Sequence, residues 1–227
     1  PAPAQAITPA AWYQAVRAAA DWQNAQGEAR GDLLFLVHGY NLSAVEVLQR
    51  HRRLQEDLSA LGFRGVVVSF DWPSDDKALA YLPDRCRAKE SALRLVTDGI
   101  AYLSAQQTPA CSLNIHVFGH STGAYVVREA FDDADDRALP NLSWTVSQVL
   151  LAAGDVSAAS MAAGHSASAS LYRHCLRLTN YASRYDQVLD VSNVKRLGVA
   201  PRVGRIGLPG TAPAQAVNVD GTAYYAK

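Results

Sequence analysis

Short apolar runs alternate along this chain with longer stretches in which apolar residues recur every three or four positions. A short apolar run bounded by turn-forming residues is typical of a buried β-strand, whereas the wider spacing is typical of an amphipathic helix. The apolar runs, with one more mixed stretch before Tyr181, predict strands over Leu33–Val37, Val66–Phe70, Leu113–Phe118, Val146–Leu151, Leu171–Tyr181 and Ala216–Val219.

Helices are predicted between these strands. Ser43 and Glu46 form the pattern of a capping box, which marks the first turn of a helix. The acidic run Asp132–Asp136 is predicted to be a solvated turn. The predicted helices cover Ala10–Ala25, the stretch from Ser43 to Leu61, Asp84–Ser104, the stretch after Thr122, part of Ser157–Ser170 and Gln187–Val194, and Gly198–Pro213 is predicted to be a loop.

The alternation of strands and helices predicts the fold class. Strands joined through helices form parallel sheets whose two faces are both covered. We therefore expect an α/β protein of three layers, a mostly parallel open sheet with helices on both faces. Residues 1–30 are expected to form an N-terminal arm and helix, and residues 31–227 a single domain. The interval between Leu151 and Leu171 is too short for a large cap domain.

Residues 119–123 (Gly-His-Ser-Thr-Gly) lie where the predicted strand Leu113–Phe118 gives way to a helix. They match G-x-S-x-G, the pattern of a nucleophile elbow, in which a serine stands at the tip of a sharp strand-to-helix turn. The glycines are needed because a strained turn leaves no room for Cβ atoms on its close neighbours. Ser121 is therefore the candidate nucleophile.

Polar side chains follow most of the predicted strands. In an open α/β sheet, ligands bind beyond the carboxyl ends of the strands. A serine, a carboxylate and backbone N–H donors at that edge are the groups that acyl transfer needs. No G-x-G-x-x-G motif or P-loop follows a predicted strand, so a nucleotide-dependent activity is not expected. The strand ends carry His38-Gly39-Tyr40, Asp71-Trp72, His120-Ser121, Asp155 and Asp186.

Two backbone N–H groups are candidates for an oxyanion hole. One belongs to Thr122, which directly follows the candidate nucleophile, and the other to Tyr40, in the loop after the Leu33–Val37 strand. The neighbouring glycine would let that loop approach the nucleophile closely. We expect the substrate pocket around this hole to be formed by His38, Gly39, Trp72 and His120.

Composition excludes several classes of function. The 227-residue chain has a formal net charge of zero and no basic block, so nucleic acid is not an expected partner. No apolar run reaches membrane-spanning length, so stable membrane insertion is not expected. The three cysteines lack metal-ligand spacing, and no metal or cofactor is expected. The compartment stays open, with a slight preference for the cytoplasm, and no oligomeric state is predicted.

Three segments together resemble the α/β-hydrolase fold, namely residues 35–41 (Phe-Leu-Val-His-Gly-Tyr-Asn), 68–74 (Val-Ser-Phe-Asp-Trp-Pro-Ser) and 118–123 (Phe-Gly-His-Ser-Thr-Gly). They are especially similar to a bacterial family of predicted esterase/lipase-like α/β-hydrolases of undefined function. Residues 182–189 (Ala-Ser-Arg-Tyr-Asp-Gln-Val-Leu) are similar to the acid-bearing segment of that family. The resemblance spans roughly Leu33 to Pro209, most of the chain.

This resemblance implies roles for three residues. Ser121 would be the nucleophile of a catalytic triad and Asp186 its acid. Asp155 is the alternative acid, because some members of the fold take the carboxylate from the preceding strand. By the same resemblance residues 31–227 would form an α/β-hydrolase domain.

The sequence departs from the resemblance at the general base. The triad order of this fold is Ser, then Asp or Glu, then His, but the last histidine here is His174. Among the six histidines, His165 is the least implausible substitute. We expect instead that the sequence stops before a C-terminal segment that carries the base; the alternative is a chain that never had one. Loss of a triad member leaves only residual catalysis, so poor ester hydrolysis is expected.

The function favoured by the sequence is hydrolysis of carboxylic esters through an acyl-enzyme on Ser121, as in esterases and lipases. The expected partner is a small-molecule ester with a small or medium acyl group. Two alternatives stay open. One is a non-catalytic α/β-hydrolase-fold binding module, and the other is an acyltransferase or thioesterase that keeps the same nucleophile.

Overall fold

The part of the chain that the computed structural model describes comprises residues 6–73, 89–105, 107, 112–136, 143–186, 189 and 200–225. The helix predicted over Gln187–Val194 lies outside these residues, apart from Leu189, and stays a prediction. The predicted start of the Asp84–Ser104 helix also lies outside them, whereas residues 89–94 are helical.

One sheet of seven strands runs through the described residues. Its strands are β1 (Asp21–Gln23), β2 (Ala29–Val37), β3 (Val66–Phe70), β4 (Ser112–His120), β5 (Gln148–Ala152), β6 (Leu178–Ala182) and β7 (Ala216–Asp220). From β2 the sheet continues through β4, β5, β6 and β7, all parallel. The other edge of β2 is shared by β1, which is antiparallel, and β3, which is parallel. The predicted mostly parallel open sheet is confirmed.

Helices connect most of these strands. The described helices are α1 (Pro9–Ala20), α2 (Ala44–Ala60), a π-helical turn (Leu95–Ile100) continuing into α3 (Ala101–Ala105), α4 (Thr122–Asp136), a 3₁₀ turn (Ala159–Met161), α5 (Ser166–Arg173), α6 (Val203–Ile206) and α7 (Thr222–Tyr225). The predicted capping box is confirmed at the start of α2. Ser43 N–H donates to Glu46 Oε2 at 2.8 Å, and Glu46 N–H donates to Ser43 Oγ at 3.3 Å.

The helices cover both faces of the sheet, as predicted. Successive side chains of a strand point to opposite faces. On one side, Phe35 of β2 belongs to the same buried cluster as Val126 of α4. On the other side, Leu34 of β2 packs with Leu54 of α2. The sheet is therefore the middle of three layers.

The N-terminal helix is shorter than the prediction. It ends at Ala20 instead of Ala25, because the next residues form strand β1. Trp22 favours the strand, since its Nε1–H donates to Asp32 Oδ2 at 2.7 Å. Strand β2 accordingly begins at Ala29, ahead of its predicted start. Here tertiary pairing overrides an apolar spacing that favours a helix.

The predicted strand Leu171–Tyr181 is wrong in its first half. Helix α5 continues to Arg173, and strand β6 begins only at Leu178. The acidic run predicted as a solvated turn is also wrong, because it forms the end of α4. Both departures have one cause. His174, at the end of α5, lies 2.8 Å from Asp135 Oδ1 and fastens the two helices together.

Smaller differences concern strand and loop boundaries. The strand predicted over Val146–Leu151 begins at Gln148, and Val146 makes an isolated bridge with Cys175. The predicted loop Gly198–Pro213 contains the short helix α6.

Candidate active site

Ser121 occupies the single residue between strand β4 and helix α4. Its φ of 54° lies in the left-handed region, which a non-glycine residue adopts at a cost of about 1–3 kcal/mol. Two backbone hydrogen bonds hold the turn in this conformation. Ser121 N–H donates to Ala152 O at 2.9 Å, and Asp155 N–H donates to Ser121 O at 3.0 Å. The strained turn is thus anchored to the end of the neighbouring strand β5.

The two glycines of the motif are required by close packing around this turn. A Cβ atom on Gly119 would lie 2.8 Å from Ala124 Cα, and one on Gly123 would lie 2.1 Å from Val37 O. Both distances are shorter than real Cβ contacts. The glycines therefore let helix α4 begin directly against strand β2 and against its own preceding strand.

The hydroxyl of the candidate nucleophile and one candidate oxyanion donor have no hydrogen-bonding partner among the described residues. Neither Ser121 Oγ nor the Thr122 N–H is bonded there. Thr122 is the first residue of α4, where backbone N–H groups have no intrahelical acceptor and the helix dipole favours negative charge. This N–H is available for an anionic oxygen.

The loop after strand β2 approaches the candidate nucleophile closely. A Cβ atom on Gly39 would lie 3.1 Å from Ser121 Cβ and 3.3 Å from His120 Nδ1. Tyr40 follows and packs partly against the main core. Asn41 then has a φ of 59°, a left-handed conformation that asparagine tolerates better than most residues. The structure thus brings Gly39 and Ser121 together.

His38 and Trp72 lie beneath this loop. Their exposed fractions are 3% and 1%, so neither offers much surface to a substrate. The His38 ring lies between Gly39 O, 2.7 Å from Nδ1, and Asp71 Oδ1, 3.0 Å from Nε2. The hydrogen bond from His38 is the main reason that the pKa of Asp71 is lowered. These contacts are those of residues that support the loop, whereas the sequence had suggested a pocket wall.

Asp186 and His120 line one cavity of about 330 Å³ at the carboxyl edge of the sheet. Asp186 Oδ1 accepts the Leu189 N–H at 3.0 Å, and its backbone carbonyl accepts a bond from Arg205 at 3.1 Å. His120 Nδ1 is buried and has no hydrogen-bonding partner among the residues that the structure describes. Burial lowers the pKa of His120, Arg50 lowers it further, and Asp186 opposes both. The cavity therefore combines a carboxylate with a neutral imidazole, and this imidazole belongs to the residue that directly precedes the candidate nucleophile in the chain.

Asp155, the alternative acid, has a different environment. It is 2% exposed, and its Oδ1 lies 3.0 Å from Nε of Arg202, which is also 2% exposed. The two groups form a buried ion pair between the end of β5 and the start of α6. A carboxylate engaged in this way has a structural role already.

Each of the remaining histidines makes a contact other than with the candidate nucleophile. His165 caps α5 by accepting the Ala167 N–H, so its role as a substitute base has no support in the geometry. The other contacts are His51 Nδ1 with Ser69 Oγ at 2.9 Å, His116 Nε2 with Asp32 Oδ1 at 3.7 Å, and His174 Nδ1 with Trp144 O at 2.8 Å.

Several residues of the site could not be assigned from the sequence. Asp71 was recognised as a strand-end residue, but only the fold reveals His38 as its partner. Tyr181 and Gly204 line the cavity with Asp186, and no motif marks them. Gly204 is brought there because its chain packs on the end of β5, where its N–H donates to Gly154 O at 3.0 Å.

Neither a metal centre nor a membrane span is found in the part of the chain that the structure describes. The described residues contain no group of three or more His, Cys, Asp or Glu side chains placed to hold a metal ion. None of the described helices is long and apolar enough to cross a bilayer. Cys175 is a buried free thiol, and burial raises its pKa to about 11.

Some solved structures are similar to this chain at low sequence identity. Phospholipase PlaB from Legionella pneumophila is 17% identical, with 71% of this chain and 41% of PlaB covered and a TM-score of 0.37. Esterase B from Lactobacillus rhamnosis, solved with a tributyrin phosphonate, is 10% identical, with 94% and 81% covered and a TM-score of 0.44. A lipase-esterase related protein from Clostridium acetobutylicum is 9% identical, with 83% and 84% covered and a TM-score of 0.40.

These similarities carry no inference about activity. The chain spans less than half the length of PlaB. No curated protein matches the chain. The family described as "Alpha/beta hydrolase of unknown function (DUF900)" matches residues 17–216, which include strands β1 to β6 and the turn at Ser121. The chain therefore belongs to this α/β-hydrolase family of unknown function.

Proposed function

We propose that this protein is a serine hydrolase of carboxylic esters that works through an acyl-enzyme on Ser121. The observation that carries the proposal is the backbone of Ser121, a non-glycine residue with a φ of 54° between strand β4 and helix α4. Backbone strain of this kind persists where the surrounding structure enforces it, and it is common at catalytic residues. In a nucleophile elbow it serves to present the hydroxyl.

The reaction would proceed in two balanced steps. Ser121 Oγ bonds to the ester carbonyl carbon while a general base takes the hydroxyl proton, and the alkoxide leaves with that proton as an alcohol. Water then attacks the acyl-enzyme, which releases the acid and restores the serine. The N–H groups of Thr122 and Tyr40 would stabilise the oxyanion in both steps, each contributing about 3 kcal/mol.

Asp186 is the proposed acid, and the proposed place of the base is the cavity that Asp186 shares with His120. This choice is supported by the buried ion pair of Asp155 with Arg202, which commits the alternative carboxylate elsewhere. No histidine of the printed sequence is assigned as the base. The cavity, of about 330 Å³, is large enough for a free imidazole molecule, and this makes the role of the base testable.

The proposed substrate is a small-molecule ester with a small or medium acyl group. Between β5 and β6 the described chain contains one 3₁₀ turn and helix α5, and no larger domain covers the site from there. A site that carries no cap in this interval suits a substrate that approaches from solution. No cofactor enters the proposed chemistry.

The proposal is tested by labelling with a fluorophosphonate, which reacts with activated serines. With imidazole added to serve as the base, we expect one equivalent to be incorporated at Ser121 and none in Ser121→Ala. Ser69→Ala is the matched control, because Ser69 also lies beside a histidine, His51, yet is outside the elbow. If the unmodified protein is not labelled, a binding module becomes the better account. If added alcohols yield new esters at the expense of free acid, the protein is an acyltransferase.

A second measurement concerns the base. Hydrolysis of p-nitrophenyl acetate by the protein should be slow, and its rate should rise with added imidazole. The background, which is the rate measured for Ser121→Ala at the same imidazole concentration, is subtracted. An imidazole effect of equal size in both proteins would contradict a base position in the cavity.

A further inference from the structure

In the peptide group between Gly39 and Tyr40, the carbonyl oxygen is engaged in a hydrogen bond. His38 Nδ1 lies 2.7 Å from Gly39 O, and the described chain contains no cis peptide bond. In a planar trans peptide, the C=O and N–H groups point in opposite directions. The Tyr40 N–H therefore points away from the His38 ring. Fixing the carbonyl oxygen fixes the direction of this N–H.

The His38 ring is itself fixed by the segment that follows strand β3. Asp71 Oδ1 lies 3.0 Å from His38 Nε2. Trp72 Nε1–H donates to His38 O at 2.8 Å, and the two rings stack with centroids 5.5 Å apart and planes inclined by 12°. Both His38 and Trp72 are almost fully buried. The ring is therefore held by contacts on two sides and at its own backbone.

Both nitrogens of the His38 ring face hydrogen-bond acceptors. Nδ1 lies beside Gly39 O and Nε2 beside Asp71 Oδ1, so the Asp71 carboxylate holds the far side of the ring in the orientation in which Nδ1 reaches the carbonyl oxygen. Without that carboxylate, the ring would lose its contact at Nε2 and would hold the Gly39–Tyr40 peptide less firmly.

We propose that Asp71 and Trp72 are positioning residues which, through His38, hold the Gly39–Tyr40 peptide with its N–H directed toward the oxyanion formed at Ser121. The inference rests on the proposed function, and it adds a role for the Asp71-Trp72 segment, which the reaction itself leaves unused. Neither residue touches the reacting atoms. Their effect on catalysis is indirect and is exerted on one backbone donor.

The chain contains a matched control for this arrangement. His174 Nδ1 lies 2.8 Å from Trp144 O, its Nε2 lies 2.8 Å from Asp135 Oδ1, and its ring stacks on Trp144. The chemistry is the same as at His38, with a carbonyl, a carboxylate and a tryptophan. Asp135 lies near the end of α4, about 20 Å along the helix from the turn at its start, given a rise of 1.5 Å per residue.

The test compares the rate at which Ser121 reacts with a fluorophosphonate in the presence of imidazole, a step that forms the Oγ–P bond, releases fluoride and passes the hydroxyl proton to the imidazole. The phosphoryl oxygen of the probe occupies the oxyanion position, so this rate depends on the donors there. In Asp71→Ala we expect kinact to fall by about 10- to 100-fold with KI little changed, since loss of one oxyanion donor costs up to about 10²–10³-fold. Trp72→Phe, which keeps the stacking but lacks the donor, should show a smaller loss.

Asp71→Asn provides the conservative variant. Its side-chain oxygen still accepts from Nε2 but carries no charge, so its kinact should lie between those of Asp71→Ala and the unmodified protein. Asp135→Ala should lower stability to a similar degree and leave kinact unchanged.

The proposal is overturned if folded Asp71→Ala and Asp71→Asn both react at the original rate. It is equally overturned if Asp135→Ala slows the reaction as much as Asp71→Ala, since a general loosening would then explain both. If the unmodified protein does not react at all, the proposed function fails and the positioning role falls with it, a result distinct from the other two.

Discussion

At the scale of the residue, the site depends on two carboxylates with contrasting surroundings. Asp186 is partly exposed, accepts one backbone N–H through its side chain and lines the cavity beside His120. Asp155 is buried and paired with Arg202. A carboxylate that orients a base must keep an oxygen available for it, whereas a buried ion pair needs both partners for stability. The two residues are therefore expected to respond differently to the same substitution.

Replacement of each carboxylate by its amide separates these roles. Asp186→Asn should keep the bond from Leu189 N–H and the fold, yet lose most of the imidazole-dependent ester hydrolysis, by up to about 10⁴-fold as for the acid of other triads. Asp155→Asn should retain more of this hydrolysis and lose about 3–5 kcal/mol of unfolding free energy, because it leaves Arg202 buried without its charged partner. Rates with p-nitrophenyl acetate and urea unfolding measure the two effects. If Asp155→Asn instead loses the hydrolysis and Asp186→Asn loses the stability, Asp155 is the acid.

At the scale of the element, two helix starts are fixed by different means. Helix α4 begins where it does because Gly119 and Gly123 permit a turn that no larger residue fits. Helix α2 begins after Ser43, whose reciprocal bonds with Glu46 satisfy two of its first N–H groups. The glycine turn before α4 depends on packing against β2, whereas the capping box of α2 is local and exposed to solvent. Loss of the capping box should therefore affect the free energy of unfolding and leave the candidate site unchanged.

Ser43→Ala tests this local device. Loss of an N-cap serine typically costs about 1 kcal/mol, so the urea midpoint should fall accordingly while fluorophosphonate labelling of Ser121 is unchanged. Ser59→Ala, in the same helix and equally exposed to solvent, is the control and should change stability by less than about 0.5 kcal/mol. A slowed labelling rate in Ser43→Ala would mean that the cap also sets the geometry of the loop before it.

At the scale of the whole molecule, the two edges of the sheet use histidine–carboxylate pairs for different purposes. At the carboxyl edge, His38 and Asp71 support the loop beside the candidate nucleophile. At the amino edge, Asp135 fastens His174, and Asp32 accepts bonds from Trp22 and Asn114 that join β1 and β4 to β2. The contacts at the amino-terminal ends of the strands therefore stabilise the fold.

These structural carboxylates make the stability of the protein sensitive to acid. The nearby His116 ring lowers the pKa of Asp32 most, with further lowering by Asn114 and Trp22. For Asp135, burial raises the pKa, but bonds from Ser170 and His174 outweigh it and the pKa is lowered. A carboxyl group whose folded pKa is depressed contributes stability above its unfolded pKa of about 4, and this contribution is lost as the pH falls through the folded value.

The urea midpoint should therefore decrease from pH 5 downward, and Asp32→Asn should be less stable at pH 7 but lose less stability on acidification. The measurement is urea unfolding at a series of pH values. Glu56→Gln, an exposed carboxylate on α2, is the control and should retain the original pH profile. An Asp32→Asn profile parallel to that of the unmodified protein would show that this carboxylate is not responsible.

The sequence by itself determined the features that are local or repeat along the chain. Alternating apolar runs set the parallel sheet, the Ser43–Glu46 spacing set the start of α2, and residues 119–123 set the turn at the candidate nucleophile. The pattern for each of these lies within a few neighbouring positions or recurs along the chain, so it is visible in the printed residues. The family resemblance was likewise carried by such short motifs.

Only the tertiary structure decided the features that join distant residues. Trp22 ended α1 early because Asp32 accepts its N–H, and His174 extended α5 because Asp135 lies on another helix. The pairing of Asp71 with His38, across 33 positions, also has no local signal. The physical reason is the same in each case: a side chain bonds to whatever the fold places within about 3 Å of it, and sequence spacing does not record that distance.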